Sequence, residues 1–143
     1  MPTLIDIFQR IKLFFASPSH QSVAKEDMQL YHRIENDICI TNVNGNLTWD
    51  TKTEFREYMD SVLETESFKG LIINLEKTHL ITSVGLGLII AVLKKLQTRN
   101  IPLAVCELNV NNQELFYIAQ LDKMMQLYET KAEAIEGIRG NLN

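Results

Sequence analysis

The sequence predicts an α/β fold in which a mixed sheet of about five strands packs against about four helices, after an extra N-terminal helix. Short apolar runs that suit strands alternate along the chain with longer runs of helical periodicity. The run Leu71–Leu75 is apolar except for one residue, which is typical of a strand covered on both faces. A helix and then another strand follow it, and such a unit implies a parallel pair with a right-handed crossover.

The N-terminal segment predicts an amphipathic helix over residues 1–15, with its apolar stripe running from Leu4 to Phe15. Residues 16–27 are polar and predict a linker, so we expect the domain proper to span residues 28–143. Because only Arg10 and Lys12 are basic in this helix, membrane docking is disfavoured. We expect the helix to pack on its own domain or to pair with a second copy in a homodimer.

The next elements are two strands, Met28–Glu35 and Ile38–Val43, joined by a two-residue turn at Asn36-Asp37. A surface helix over Asp50–Thr65 follows, and Thr51 with Glu54 has the spacing of a capping box. After the buried strand, the patterns predict the helix Ser83–Arg99, the strand Leu103–Glu107, the helix Asn112–Leu121, the strand Met124–Tyr128 and the helix Thr130–Ile138. The last helix should begin with a capping box formed by Thr130 and Glu133. We expect Phe116, Tyr117, Met124 and Met125 to lie in or near the core.

Composition excludes several classes of protein. The 143 residues are 45% hydrophobic, enough for a core without disulfides. The formal net charge of -4 and the lack of a basic block argue against nucleic acid as the main partner. Cys39 and Cys106 are isolated in apolar runs, and the histidines lack metal-ligand spacing, so we expect buried reduced thiols, a cytoplasmic location and no metal or cofactor. The longest apolar run, Val84–Leu93, is too short to span a membrane.

The segment between the buried strand and the following helix is the one part of the chain that suggests a function. Gly85 and Gly87 lie in the first turns of the helix, where each costs about 1 kcal/mol relative to alanine. Either close packing of the helix on the sheet or the approach of a partner explains them. The start of a helix can also receive an anion, because it presents unpaired N–H groups.

The same segment resembles the core motif of STAS domains, the fold of bacterial anti-sigma factor antagonists and of sulphate-transporter tails. The residues that carry the resemblance are Asn74-Leu75, Leu80-Ile81, Ser83 and Gly85-Leu86-Gly87, with Gly45-Asn46-Leu47, Pro102–Leu108 and Leu121-Asp122-Lys123-Met124 as outer matches. The resemblance covers about residues 28–138, and the order of elements is also the family's order.

The resemblance implies a non-enzymatic regulatory domain that binds an anti-sigma factor or a related serine kinase through residues 77–88. In well-known members a serine here is phosphorylated, and the added charge releases the partner. Val84 stands at that position and cannot accept phosphate, and Thr82 stands where the family has aspartate. Three alternatives follow: phosphorylation of Ser83 or Thr82, constitutive binding, or a scaffold or accessory role in transport or in binding a small anion or nucleotide.

The resemblance and the adjacent residues together predict a partner-binding set: Thr48, Trp49, His79, Thr82, Ser83, Val84, Gly85, Leu86 and Gly87. Each has an ordinary alternative role. Trp49 is either an interface anchor or a staple that closes its helix onto the core. His79 is either a contact residue or simply a surface residue, and Ser83 is the expected N-cap of its helix. No P-loop, nucleophile elbow or zinc-protease motif is present, which disfavours an enzyme.

Overall fold

The computed structural model describes residues 7, 9–11 and 27–142. Within that part of the chain five strands and four longer helices alternate as predicted: β1 (Gln29–Glu35), β2 (Ile38–Asn44), α1 (Lys52–Thr65), β3 (Gly70–Lys77), α2 (Ser83–Gln97), β4 (Leu103–Cys106), α3 (Val110–Ile118), β5 (Gln126–Tyr128) and α4 (Lys131–Asn141). Single 3-10 turns at Trp49–Thr51 and Leu121–Lys123 precede α1 and β5.

The strands form one mixed sheet in the order β1-β2-β3-β4-β5. β1 and β2 pair antiparallel through the predicted turn, in which Asn36 and Asp37 have φ values of 53° and 66°. Positive φ at both central residues is the geometry that matches the twist of a two-residue hairpin. The remaining pairs are parallel, so β2, β3 and β4 direct their carboxyl ends to the same edge of the sheet.

The two faces of the sheet are covered unequally. Helices α1, α2 and α3 bury Phe55, Leu86 and Phe116 against one face in the larger core cluster. Helix α4 buries Ala134 and Ile138 against the other face in a smaller cluster. In β3 the side chains alternate between the two clusters, which confirms that this strand is covered on both faces.

Only part of the predicted N-terminal helix falls within the described residues. Ile7, Gln9, Arg10 and Ile11 are helical, and Ile11 is buried in the larger core cluster with Ile7 packed against it. At these positions the apolar stripe therefore packs on its own domain. The rest of the helix and residues 16–26 of the predicted linker lie outside the described residues.

The predicted capping box of α1 is wrong. Thr51 precedes α1 but makes no side-chain bond to the start of the helix. Its hydroxyl instead donates to the carbonyl of Asn46 (2.5 Å) and accepts from the backbone N–H of Thr48 (3.1 Å). The capping box is therefore shifted to Thr48 and Thr51, around the 3-10 turn that leads into the helix. At α4 the Thr130 half of the predicted capping box is confirmed, since the hydroxyl of Thr130 accepts from the backbone N–H of Glu133 (3.1 Å).

Residues 107–125 depart most from the predicted pattern. Helix α3 begins at Val110 and ends before Gln120, whose φ of 58° takes the chain out of helical geometry. Phe116 and Met125 are buried as predicted, but Tyr117 and Met124 are 56% and 48% exposed. Tyr117 is exposed because the buried face of α3 is made by Asn112, Leu115, Phe116 and Ala119.

Both cysteines are buried free thiols, as predicted. They belong to opposite faces of the sheet, Cys39 to the larger cluster and Cys106 to the smaller. Burial disfavours the thiolate and raises the pKa of Cys106 to about 12. In the described part of the chain, no helix is long and apolar enough to cross a bilayer.

Candidate functional site

Three loops meet at the edge of the sheet where the parallel strands end. They follow β2 (residues 45–48), β3 (residues 78–82) and β4 (residues 107–109). Open α/β sheets commonly place their functional groups at this edge. The predicted partner-binding residues lie in the first two loops, in the turn that follows the first, and at the start of α2.

Asn46 joins the first two loops. It is buried, and its side-chain oxygen accepts from the backbone N–H groups of His79 (3.2 Å) and Leu80 (3.0 Å). Next to it, Leu47 forms a parallel bridge with Ile81, and its carbonyl accepts from the N–H of Thr82 (3.0 Å). The two loops are therefore held together as an irregular extension of the sheet.

Buried polar side chains also fix the β3 loop to its other neighbours. The hydroxyl of Thr78 donates to the carbonyl of Val43 (3.2 Å) at the end of β2. The amide of Asn112, in α3, donates to the carbonyl of Thr78 (3.1 Å). Asn109, the N-cap of α3, donates to the carbonyl of His79 (2.9 Å). Sequence reasoning missed these residues because their bonding partners are distant in the chain.

Helix α2 begins with a hydroxyl cap from Thr82. Its oxygen accepts from the N–H of Gly85 (3.4 Å) and donates to the carbonyl of Leu47 (3.3 Å). The prediction that Ser83 caps this helix is therefore wrong. Ser83 is the first residue of the helix, its side chain is exposed, and its hydroxyl has no bond to any described residue.

The two glycines of α2 have different physical explanations. Gly85 is buried, and an added Cβ would lie 2.2 Å from the carbonyl oxygen of Leu47, so close packing accounts for it. Gly87 is exposed, and an added Cβ would have no atom within 4 Å. Packing inside the described domain therefore does not require glycine at position 87.

Trp49 is 67% exposed, which excludes the alternative that it staples α1 onto the core. The ammonium group of Lys52 lies 3.2 Å from the centre of its ring, a cation–π contact that restrains the indole at the surface. His79 is exposed, and Thr48, Thr82 and Val84 are partly exposed.

We call the exposed and partly exposed members of the predicted set the docking edge: Thr48, Trp49, His79, Thr82, Ser83, Val84 and Gly87. Gly85 and Leu86, which the sequence placed in the same set, are buried beneath it. No three His, Cys, Asp or Glu side chains of the described residues are grouped so that they could hold a metal ion. What the edge offers chemically is an exposed indole, an exposed imidazole, three hydroxyls, a partly exposed valine and a bare stretch of helix.

The fold and this edge define a class of small α/β domain in which the loops after the parallel strands carry exposed side chains. The chain belongs to the STAS domain family, whose sequence model matches residues 29–134.

Several known proteins with related sequences or folds are named anti-sigma factor antagonists. The anti-sigma F factor antagonist of Paenibacillus polymyxa is 24% identical over 98 residues, which cover 68% of this chain and 84% of that protein. An anti-sigma factor antagonist from Mycobacterium paratuberculosis superposes with a TM-score of 0.73 at 20% identity, over 82% of this chain and 99% of that one. An anti-sigma-factor antagonist (STAS) domain protein from Planctomyces limnophilus superposes with a TM-score of 0.67 at 17% identity, over 80% of this chain and 99% of that one.

Proposed function

We propose that this chain is a non-enzymatic regulatory module that binds an anti-sigma factor, or a related serine kinase, through the docking edge. The names of its relatives support the class of partner. The buried bonds of Asn46, Thr78 and Asn112 support the location, since they fix the loops that carry the exposed residues.

The exposure of Trp49 is the observation that carries the proposal. A tryptophan at 67% exposure leaves a large apolar surface in water, and tryptophan is among the residues most enriched in interface hot spots. The ring is already restrained by Lys52, which lowers the conformational entropy lost when a partner covers it. Gly87 supports the same reading, because a bare stretch of helix lets a partner approach the backbone closely.

Control of this contact is proposed to differ from that of the phosphorylated relatives, because Val84 has no hydroxyl group. Of the two neighbouring hydroxyls, that of Thr82 is engaged with Gly85 and Leu47, whereas that of Ser83 is exposed. A kinase would therefore reach Ser83 more readily. A phosphate there would add about -1.5 to -2 charges to the docking edge, and without it binding is constitutive.

Affinity capture from the source organism tests the proposal. The bait proteins are the unmodified chain, Val84→Asp and the control Ile34→Asp, and bound proteins are identified by mass spectrometry. Ile34 is a partly exposed apolar residue at the end of β1, beside the amino ends of the parallel strands and so at the opposite edge of the sheet. Thermal unfolding of each bait establishes that it is folded.

We expect the unmodified chain and Ile34→Asp to capture a kinase-like anti-sigma factor, and Val84→Asp to lose it by more than tenfold, because the new carboxylate would be desolvated at the contact. Equal recovery with all three baits removes the docking edge from the interface.

The alternative of a small-anion or nucleotide module predicts a change in Trp49 fluorescence on titration with phosphate or nucleotide at micromolar concentration, and we expect none.

A further inference from the structure

Val110 is the most exposed large apolar residue in the described part of the chain, at 78%. It is the first residue of α3 and directly follows Asn109, whose side chain donates to the carbonyl of His79. The hydrogen bond ties the start of α3 to the loop that presents His79. Val110 therefore continues the docking edge on the side away from Trp49.

The strand order sets the spacing of the two apolar residues. Trp49 follows β2 and Val110 follows β4, with β3 between them. Neighbouring strands are about 4.8 Å apart, so the two chain segments start about 10 Å from each other. The start of α2, which follows β3, lies between them, and a partner of ordinary interface size, about 800 Å² per side, would cover both.

Side chains without a formal charge at neutral pH dominate this combined surface. Between Trp49 and Val110 lie Ser83 and Val84, whose side chains are uncharged, and the imidazole of His79. Charged side chains flank it, among them the exposed Glu114 one turn along α3 from Val110. The ammonium group of Lys52 lies over the Trp49 ring, and Asp50 follows Trp49 in the sequence. Glu76 and Lys77 are consecutive residues at the end of β3. A carboxylate oxygen of Glu107 accepts from the backbone N–H of Lys131.

Building on the proposed function, we propose that Val110 is a second apolar anchor of the docking edge, and that the partner presents an apolar, uncharged face to it. Burial of apolar surface, rather than charge pairing, then supplies most of the affinity. Binding of this kind depends little on ionic strength, since salt screens charges and not apolar contacts.

Binding assays with defined probes test this inference. The probes are the purified anti-sigma factors of the source organism that carry a kinase-like domain. Their affinities are measured by calorimetry for the unmodified chain, Val110→Ser, Val84→Asp and the control Tyr117→Ser. Tyr117 is an exposed residue two turns further along α3, away from the docking edge.

We expect Val110→Ser to weaken binding of one probe about tenfold and Tyr117→Ser to leave it unchanged. The affinity of the unmodified chain should change less than about threefold between low and high salt. Unchanged affinity in Val110→Ser, or a salt effect of tenfold or more, overturns this inference. If Val84→Asp has lost affinity in the same assay, the proposed function still stands. If no probe binds, or if Val84→Asp binds like the unmodified chain, the proposed function fails and this inference with it.

Discussion

Alanine at the two glycines of α2 should change stability in opposite directions. At position 87 nothing lies within 4 Å of an added methyl group, so only helix propensity changes. Alanine at an exposed helix position is favoured over glycine by about 0.5–1 kcal/mol. Gly87→Ala should therefore raise the free energy of unfolding by that amount.

Gly85→Ala gains the same propensity but creates a clash. The added carbon would lie 2.2 Å from the carbonyl oxygen of Leu47 and 2.8 Å from its carbonyl carbon, so backbone rather than a flexible side chain obstructs it. Overpacking of this kind costs about 3 kcal/mol when backbone has to move. After the propensity gain, we expect a net loss of about 2 kcal/mol.

Urea unfolding followed by far-ultraviolet circular dichroism measures both effects. The fluorescence of Trp49 is a poor probe here, because its ring is already 67% exposed in the folded state. The two variants should differ by about 3 kcal/mol. If Gly85→Ala were as stable as the unmodified chain, the close approach of α2 to Leu47 would be refuted. Binding offers a second readout, since Gly87→Ala should stabilise the fold and still weaken partner capture if a partner approaches that backbone.

Two further predictions concern hydroxyl and thiol groups. Thr82→Val should lower the free energy of unfolding by about 1 kcal/mol because it removes the cap of α2, whereas Ser83→Ala should change it by less than about 0.5 kcal/mol. Thermal unfolding of the two variants measures the difference. A larger loss in Ser83→Ala than in Thr82→Val would contradict the assignment of the cap. The pKa of Cys106 is about 12 in the folded state, so above about pH 9 the unfolded chain loses a proton that the folded chain keeps. The contribution of the Cys106 thiol to the free energy of unfolding should therefore be fully present below about pH 9. The free energy of unfolding should then fall by up to about 1.4 kcal/mol per pH unit between about pH 9 and 12. Urea unfolding at about pH 8 and 10.5 should show a smaller fall in Cys106→Ala, and an equal fall in both proteins would exclude this thiol as a cause.

The sequence predicted the layered fold well because its strongest signals are local. A strand that alternates between two buried faces must be almost wholly apolar, and Leu71–Leu75 is. The Asn36-Asp37 turn was equally readable, because asparagine and aspartate tolerate the positive φ that such a turn requires.

The details of the docking edge were less predictable because they depend on contacts across the fold. The hydroxyl of Thr51 could cap α1 by spacing alone, but the carbonyl of Asn46 competes for it once the loop is folded. Similarly, Thr82 and Ser83 are both good caps, and only the position of Leu47 distinguishes them. Which side chains reach the surface also depends on the tertiary structure, as the burial of Leu86 beside the partly exposed Val84 shows.

The amide side chains of Asn46, Asn109 and Asn112 have a consequence for how fast and how tightly this surface can associate. They bond main-chain groups of the β3 loop, so the chain entropy of these segments is lost when the domain folds and not when a complex forms. A preordered surface can engage on first encounter, without a slow rearrangement that would limit the association rate. Loosening any one amide would then weaken association without removing a single intermolecular contact.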